Sequence, residues 1–524
     1  MAESEKKKKQ KTPSYVLTLK LDVFQREHGI LEKRFEISRK LYNAILGMGL
    51  KRFKALSERK AYRVLRRELL QINKQFHDCT DEKKLKEIEK LRKDKYKELS
   101  SMIETAGLCE YALINDMTPM YKPFDKNIDN KTAQALASRA WVSLERLIYK
   151  DAKRVNFKRF GEMDSIEGKW NASGIKYRNG FIKWNGLSIP VIVEKCDTYA
   201  QRALQDRVKY CRILRRAVRG QCKYYVQLVM EGVPPVKTCK ETGKPKYPVG
   251  IGTVGIDIGT RTIAISSQDA VRLMELCPEV ENMEREKRII QRRLDRSRRA
   301  MNPQNYNADG TVKNGIMEDG KRKRLEWTYS SHYLKNRSIL REIQRKQAAV
   351  RKQSHERLAN FIISLGDTVL VEQMNFKALQ KRSKDTTVNR KTGKINKKKR
   401  FGKSLANKAP AMLLSIVDRK LGYEGLSLSK INTQKAKASQ YCHFTDTYEK
   451  KELKDRWHNG GDDKVQRDCY SAFLIMNMNS SLETIDRKKC LATYDRFKAL
   501  HDIEMGNLTA LKLQDSKFPS SMGI

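Results

Sequence analysis

The sequence predicts a multidomain α+β protein, with a β module interrupted by a helical block in the first half and an α/β domain in the second. Three observations predict it. Leu17, Leu19 and Leu21 alternate with Thr18 and Lys20, and strand patterns return in GFIKWNGLSIPVIVE and QCKYYVQLVM, so β segments flank a long stretch of helical periodicity. In the second half, strand patterns around Asp257 and Glu372 are separated by long basic helical segments. Between the halves, PPVKTCKETGKPKYPVG is rich in Pro, Gly and Lys and reads as a linker.

Each element follows from its local pattern. MAESEKKKKQKTP is a basic tail, expected to be disordered over residues 1–13 rather than to serve as a nuclear import signal. YVLTLKLD is the first strand. In the helical block Ile37, Leu41 and Ile45 fall at i, i+4 and i+8, and Leu136, Ala140, Leu144 and Ile148 repeat that stripe, which marks core-facing surfaces. Between them DEKKLKEIEKLRKDKYKEL is a polar-faced helix, expected to be half of a helical hairpin.

After the linker, Val254, Ile256 and Ile258 alternate with Gly255 and Asp257, Gly259-Thr260-Arg261 turns the chain, and Ile263 and Ile265 resume the alternation. This reads as a β-hairpin with Asp257 facing away from the apolar side. EREKRIIQRRLDRSRR and SHYLKNRSILREIQRKQAAVRKQSHERL are basic helices bracketing an Asn/Gly-rich loop from Asn302 to Gly320. Val369-Leu370-Val371 is the continuous apolar run of a covered central strand, with Glu372 at its end. Ala472, Phe473, Ile475 and Met476 supply the apolar face of a helix that opens at Asp468. The residues beyond read as helical and carry no motif.

With 524 residues the chain can bury a sizeable core, and its length suggests roughly three or four domains. Its 109 Lys+Arg against 62 Asp+Glu give a net charge of +47. So large a positive charge implies a polyanionic partner, for which nucleic acid is the natural candidate and a membrane surface the weaker one. No run approaches the ~18–20 apolar residues of a membrane span, and the N-terminus has no signal-peptide core. Ten cysteines are scattered with no Cys-x-x-Cys pair, which argues against a disulfide framework and a self-evident zinc site.

Asp257, Glu372 and Asp468 carry the chemistry. Singly, each has a plain reading: a turn opener, a strand-end surface residue and an N-cap. As an ordered set, two strand-borne acids and one helix-borne acid can converge at one end of a mixed sheet, where two Mg²⁺ ions about 3.5–4 Å apart clamp a scissile phosphate. Oxygen ligands suit Mg²⁺, with water and phosphate completing its shell. GIDIGT also resembles the phosphate loop of actin-like and Hsp70-like ATPases. Those need a second glycine-rich phosphate loop, and the one adjacent glycine pair here, Gly460-Gly461, lies in the polar HNGGDDK with no apolar strand before it. A nuclease is therefore favoured over an ATPase. Arg288, Arg292, Arg293 and Arg296 on the first basic helix, and Lys397, Lys398 and Lys399 in the loop after Glu372, suit phosphate backbones, against the plain reading of solvated charge runs.

These residues resemble the transposon-encoded TnpB proteins and compact type V CRISPR effector nucleases, which share a RuvC domain. GIDIGTRTIAIS is similar to the first RuvC motif, LVEQMNF to the second, and QRDCYSA stands where the family has Asp-Arg-Asp followed by small residues. The resemblance implies an RNase H-like RuvC α/β domain over 250–430 and 464–490, and a β-barrel-like wedge module over 14–25 and 156–240. A helical recognition insertion would occupy 26–155 and a C-terminal helical extension 491–524. It implies Asp257, Glu372 and Asp468 as catalytic, metal-holding carboxylates and Arg467 as their basic neighbour. One departure stands out. The family carries a zinc ribbon with two Cys-x-x-Cys pairs between the second and third motifs, whereas here Ser439-Gln440-Tyr441-Cys442-His443 has no second cysteine before Cys469. Tetrahedral zinc needs four ligands, so 431–463 is expected to be a degenerate, zinc-free, target-nucleic-acid-binding lobe.

The implied function is RNA-guided, Mg²⁺-dependent cleavage of double-stranded DNA beside a short, T-rich motif, in a prokaryotic cytoplasm, with one copy or a homodimer on each guide RNA. Two alternatives stand beside it. One is an RNA-guided repressor that binds without cutting, which the retention of all three acids argues against. The other is a guide-independent RNase H-like nuclease or transposase, which leaves the large basic first half without a use.

Overall fold

A computed structural model describes residues 12–79, 81–149, 152–239, 241–318, 321–383, 385–388, 393, 395–396, 398, 401–449, 452, 455–460, 463–514 and 517–524. The chain divides into two compact units, Met1–Pro235 and Val236–Ile524, with the break inside the expected linker. Of the expected tail, residues 1–11 lie outside the described residues. Pro13 already extends the sheet, its carbonyl accepting from Gly232 N at 2.9 Å.

In the first unit β1 (Ser14–Leu21) buries Tyr15, Leu17, Leu19 and Leu21 in strict alternation, as the sequence pattern requires. The helical block follows: α1 (Gln25–Glu58), α2 (Lys60–Asp78), α3 (Glu82–Thr105), α4 (Glu110–Tyr121) and α5 (Asn130–Ile148). The predicted stripes on α1 and α5 are buried, and these helices pack together. The polar-faced segment is α3, hairpinned against α2 and tied to it by Lys95–Glu68 at 2.7 Å.

The chain then returns to the sheet through β2 (Ser165–Glu167), β3 (Lys176–Arg178), β4 (Phe181–Trp184), β5 (Leu187–Ile192), a short α6 (Thr198–Ala203), β6 (Val208–Val218) and β7 (Gln221–Glu231). The seven strands run in the order β2-β6-β7-β1-β5-β4-β3, all antiparallel, curling into a half-barrel that brings β3 against β6. One β-sheet thus brackets a helical insertion.

The second unit is built on β8 (Thr253–Ile258), β9 (Thr262–Ser266) and β10 (Val271–Glu275), an antiparallel meander. The basic helices follow as α7 (Glu284–Met301) and α8 (Ser331–Ser364), with the short strands β11 (Ile316–Glu318) and β12 (Lys321–Lys323) between them. The Asn/Gly-rich segment there is more ordered than its composition suggests. Asn302 exchanges two hydrogen bonds with the Thr328 backbone, at 2.8 and 2.7 Å, and Asn305 Nδ2 donates to Glu326 O, so amide side chains do the work of a missing sheet.

Next come β13 (Thr368–Glu372), α9 (Phe376–Leu379), α10 (Gly402–Lys408), α11 (Pro410–Tyr423), β14 (Ser429–Ile431) and α12 (Thr433–Ala436). Two small hairpins, β15 (Tyr441–Cys442) with β16 (Thr447–Tyr448) and β17 (Trp457–Gly460) with β18 (Asp463–Gln466), lead to α13 (Arg467–Met476) and α14 (Arg487–Leu513). The main sheet has the order β10-β9-β8-β13-β14, with β13 parallel to β8 and β14 parallel to β13.

Both faces of this sheet are covered. On one, Val254, Ile256, Ile258, Val369 and Val371 pack against Ile362 and Ile363 of α8 and Leu413 and Val417 of α11. On the other, Ala264, Leu273, Leu370 and Ile431 pack against α13 and against Tyr494 and Phe497 of α14. The alternating pattern predicts β8 and β9 as half-buried strands with Asp257 on a solvent side. Instead α13 covers that side, and the acid is left half-buried at the end of the sheet. Residues 491–524 share this second core rather than standing apart from it: Tyr494, Phe497, Met505, Leu508 and Met522 are all buried there.

Candidate active site

Strand register brings the first two acids together. Leu370 is the Cα partner of Gly255 and Val371 of Ile256 in a parallel pair. The next positions, Glu372 and Asp257, therefore stand side by side at the C-terminal ends of adjacent strands, whose backbones are roughly 4.8 Å apart. Counting by two from Leu370 and Gly255, both acids point to the α13 face.

Gly255 brings in the third. A Cβ there would run into the Ala472 carbonyl oxygen and the Met476 nitrogen, so α13 lies directly on the strand backbone where glycine leaves room. From that contact Asp257 is two residues along the strand, roughly 6.6 Å, and Asp468 is four residues back along the helix, roughly 6 Å. Measured from the Ala472 end of the contact the two displacements are similar, and the charge of Asp468 acts on Asp257, so the two acids lie close. The helix cap is Gln466, whose side chain accepts from Cys469 N at 2.8 Å. Asp468, a candidate cap by sequence, is released from that duty and faces the other acids. Cys469 through Met476 are buried all round, making α13 a core helix rather than the amphipathic one its pattern suggests.

The electrostatics of the three acids agree with this placement. Burial raises the Asp257 carboxyl well above the usual carboxylate range, and the charges of Glu372 and then Asp468 push it further. Burial raises Glu372 and Asp468 as well. Opposing this, Arg456 and Arg467 favour ionised Asp468, and Arg467 also favours ionised Asp257. The Ser471 hydroxyl favours ionised Asp257 too, although the pair falls outside strict hydrogen-bond geometry.

Three crowded, partly desolvated carboxylates repel one another, and a divalent cation relieves that repulsion while taking the oxygen ligands it prefers. The donor set therefore fits Mg²⁺. The one set of three metal-ligand side chains whose donor atoms lie within 4.8 Å of one another, among the described residues, is elsewhere: His28, Glu32 and Cys222. There the Tyr224 hydroxyl donates to Glu32 at 2.6 Å and meets His28 Nδ1 at 3.0 Å, while Arg215 pairs with Glu32 at 2.6 Å, a self-contained network. The three acids are spread more widely than that cluster. Cys469, next to Asp468, is no nucleophile, since it is fully buried and burial holds its thiol protonated.

The turn after Asp257 is fastened from below. Arg261 pairs with Glu275 at 2.7 Å and Glu281 at 3.1 Å, and the buried Lys408 pairs with Glu275 at 2.8 Å. Arg467, expected beside the acids, donates its backbone N to Arg456 O at 2.9 Å and Nη1 to Glu452 O at 3.0 Å. Sequence reasoning missed Arg456, Ser471 and Gln466. Of these only Gln466 left a signal, as a polar residue just ahead of an apolar helical run.

The basic residues divide. Arg288, Arg292 and Arg296 fall at i, i+4 and i+8 on α7, with Arg293 next to them, and all four are exposed. Arg298 and Arg299 on the same helix serve the fold, stacking over Trp327 and Tyr306. In the loop after Glu372, the Lys398 carbonyl accepts from Ser383 N at 2.8 Å, while Lys397 and Lys399 lie outside the described residues.

In the lobe expected to be degenerate, the two hairpins close over rings rather than over paired cysteines. His443 is fully buried, its Nδ1 2.6 Å from the Tyr470 hydroxyl, with Phe444, Phe473 and Tyr494 around it. Burial and the Arg487 charge lower its pKa to about 4, so the ring is neutral.

No family model matches this chain, and no curated protein matches it. No helix among the described residues is long and apolar enough to cross a membrane. Among solved structures, the chain is similar to a Cas12f1–sgRNA–target DNA complex, with 12% identity, coverage of 90% of this chain and 100% of that one, and a TM-score of 0.40. It is also similar to a CRISPR–Cas12f ternary complex, with 14% identity, coverage of 87% of this chain and 82% of that one, and a TM-score of 0.24.

Proposed function

We propose that this protein is an RNA-guided DNA endonuclease whose single cutting centre is Asp257, Glu372 and Asp468. The observation that carries the reading is the convergence of three acids, remote in sequence, at one end of a five-stranded mixed sheet, each by an independent feature: strand register for two and the Gly255 contact for the third. The resemblance of the surrounding motifs to RuvC domains adds the RNase H-like fold, the guide RNA and the double-stranded target. The exposed arginines of α7 supply a surface for phosphate.

In this reading the three carboxylates hold two Mg²⁺ ions, which when bound supply the charge to activate a water and to stabilise the leaving oxygen. Asp257 and Glu372, on adjacent strands, present oxygens from a rigid base. Asp468 closes the site from the helix, where Arg456 and Arg467 favour its ionised form against the effect of burial. No side-chain nucleophile is needed, because the activated water attacks the phosphate directly, without a covalent intermediate. We propose also that the 431–463 lobe is held by its His443 ring cluster without zinc.

The experiment is to purify the protein from its native locus, wash at high salt and sequence what stays bound. One discrete RNA with a constant scaffold and a variable end supports guided targeting. A heterogeneous smear, or no RNA, moves the assignment to a guide-independent nuclease with the same acidic centre.

A further inference from the structure

Asp468 lies in the half-exposed first turn of an otherwise buried helix. Arg467 and Asp468 are half-exposed, while Cys469 through Met476 are buried and pinned on Gly255. Besides the ties of Arg467 to Arg456 and Glu452, that turn is held by the C-terminal segment. Gln466, fully buried, caps α13 with its side-chain oxygen, donates Nε2 to Met522 O at 3.2 Å, and donates its backbone N to His501 Nε2 at 2.9 Å. His501, also buried, faces Asp502 Oδ1 through Nδ1 at 2.9 Å, and Asp502 is gripped by Lys498 at 2.5 Å. Because Nε2 accepts a hydrogen bond, the ring proton sits on Nδ1 and donates to Asp502, which fixes the tautomer. A second tie lies alongside, where Trp457 Nε1 donates to Gly523 O at 3.1 Å.

We propose that Gln466 and His501 are positioning residues: together with the Met522 carbonyl they form a clasp that sets the first turn of α13 and so aims Asp468 at the cation shared with Asp257. The proposal rests on the nuclease reading above and gives the C-terminal segment, which carries no sequence motif, a role in that site. Its logic is that of outer-shell partners, which orient a ligand they do not replace. Fraying of this turn would move Asp468 while leaving Ser471 and Ala472 in place, because the Gly255 contact lies beyond it.

The test uses the full chain and needs no guide: calorimetric titration with Mn²⁺ as a surrogate for Mg²⁺, alongside circular dichroism to confirm folding. Gln466→Ala and His501→Phe are expected to weaken Mn²⁺ binding by about 10–100-fold. His501→Gln, whose amide oxygen can replace Nε2 as the acceptor for Gln466 N, is expected to recover most of it. Should Gln466→Ala fail to fold, the His501→Phe and His501→Gln pair decides alone. Folded variants that bind Mn²⁺ as the wild type does, while Asp257→Asn abolishes binding, would overturn the clasp and leave the nuclease centre standing. A wild-type chain that takes up no Mn²⁺ overturns both.

Discussion

Replacing Gly255 by alanine tests how the three acids are brought together. Gly255 has no positive φ, so alanine adopts its backbone without strain. By itself such a change stabilises by about 0.4–1 kcal/mol through the unfolded chain. Here the added Cβ would sit 2.9 Å from Met476 Cα and closer still to the Ala472 oxygen and Met476 nitrogen, against the 3.0 Å that real Cβ atoms keep. All three are helix backbone, so no side chain can swing aside, and α13 must lift by about 1 Å, a misplacement that can cost about 10²-fold in rate. Overpacking of this kind costs about 1–3 kcal/mol, or about 2–4 °C in melting temperature for each kcal/mol.

The assay pairs scanning calorimetry with Mg²⁺-dependent cleavage, and Gly506→Ala serves as a control. Gly506 is exposed inside α14 with nothing near its Cβ position, so alanine there should stabilise by about 1 kcal/mol. The same substitution in the same unit should thus move the transition in opposite directions. A Gly255→Ala protein that melts no lower than wild type and cuts at the wild-type rate would refute the packing argument.

Asp257→Asn should raise the melting temperature of the metal-free protein at neutral pH while abolishing cleavage, because it removes a repelled, desolvated carboxylate. The same group sets a pH dependence. Its folded pKa is raised, so its stabilising contribution is full below the unfolded value of about 3.9 and is lost as pH rises through the folded value. Metal-free wild type should therefore melt lower at pH 8 than at pH 5, with Mg²⁺ closing the gap and Asp257→Asn flattening it. Replacing Arg288, Arg292, Arg293 and Arg296 together by alanine should lower the slope of log affinity against log salt by about 0.7–0.9 for each phosphate they neutralise, measured by filter binding at several salt concentrations. A strong zinc chelator should leave the melting profile unchanged, because the 431–463 lobe is held by rings around His443; a chelator-induced drop would show a structural metal there.

Periodic and strand-end signals in the sequence are informative. The alternation in β1, the stripes on α1 and α5, the hairpin after Asp257 and the strand ending at Glu372 all depend on local chemistry, and each appears where its residues place it. Contacts between distant segments are not legible. Nothing near Gly255 says that a helix more than two hundred residues away will lie on it, so the second covered face of the sheet leaves no local sign and the pattern alone assigns Asp257 to solvent. Likewise Gln466 and His501 meet only because α14 folds back over α13. The His443 cluster shows a third case, in which aromatic residues scattered from 443 to 497 converge without any spacing rule.

The most direct test of the central claim is cleavage by the purified protein–RNA complex of a duplex carrying the sequence complementary to the RNA's variable end, within a library of flanking motifs. The account predicts that wild type cuts matched targets in Mg²⁺, and that Asp257→Ala, Glu372→Gln and Asp468→Asn each bind the same targets without cutting. An Asp257→Ala complex that cuts at the wild-type rate would contradict it.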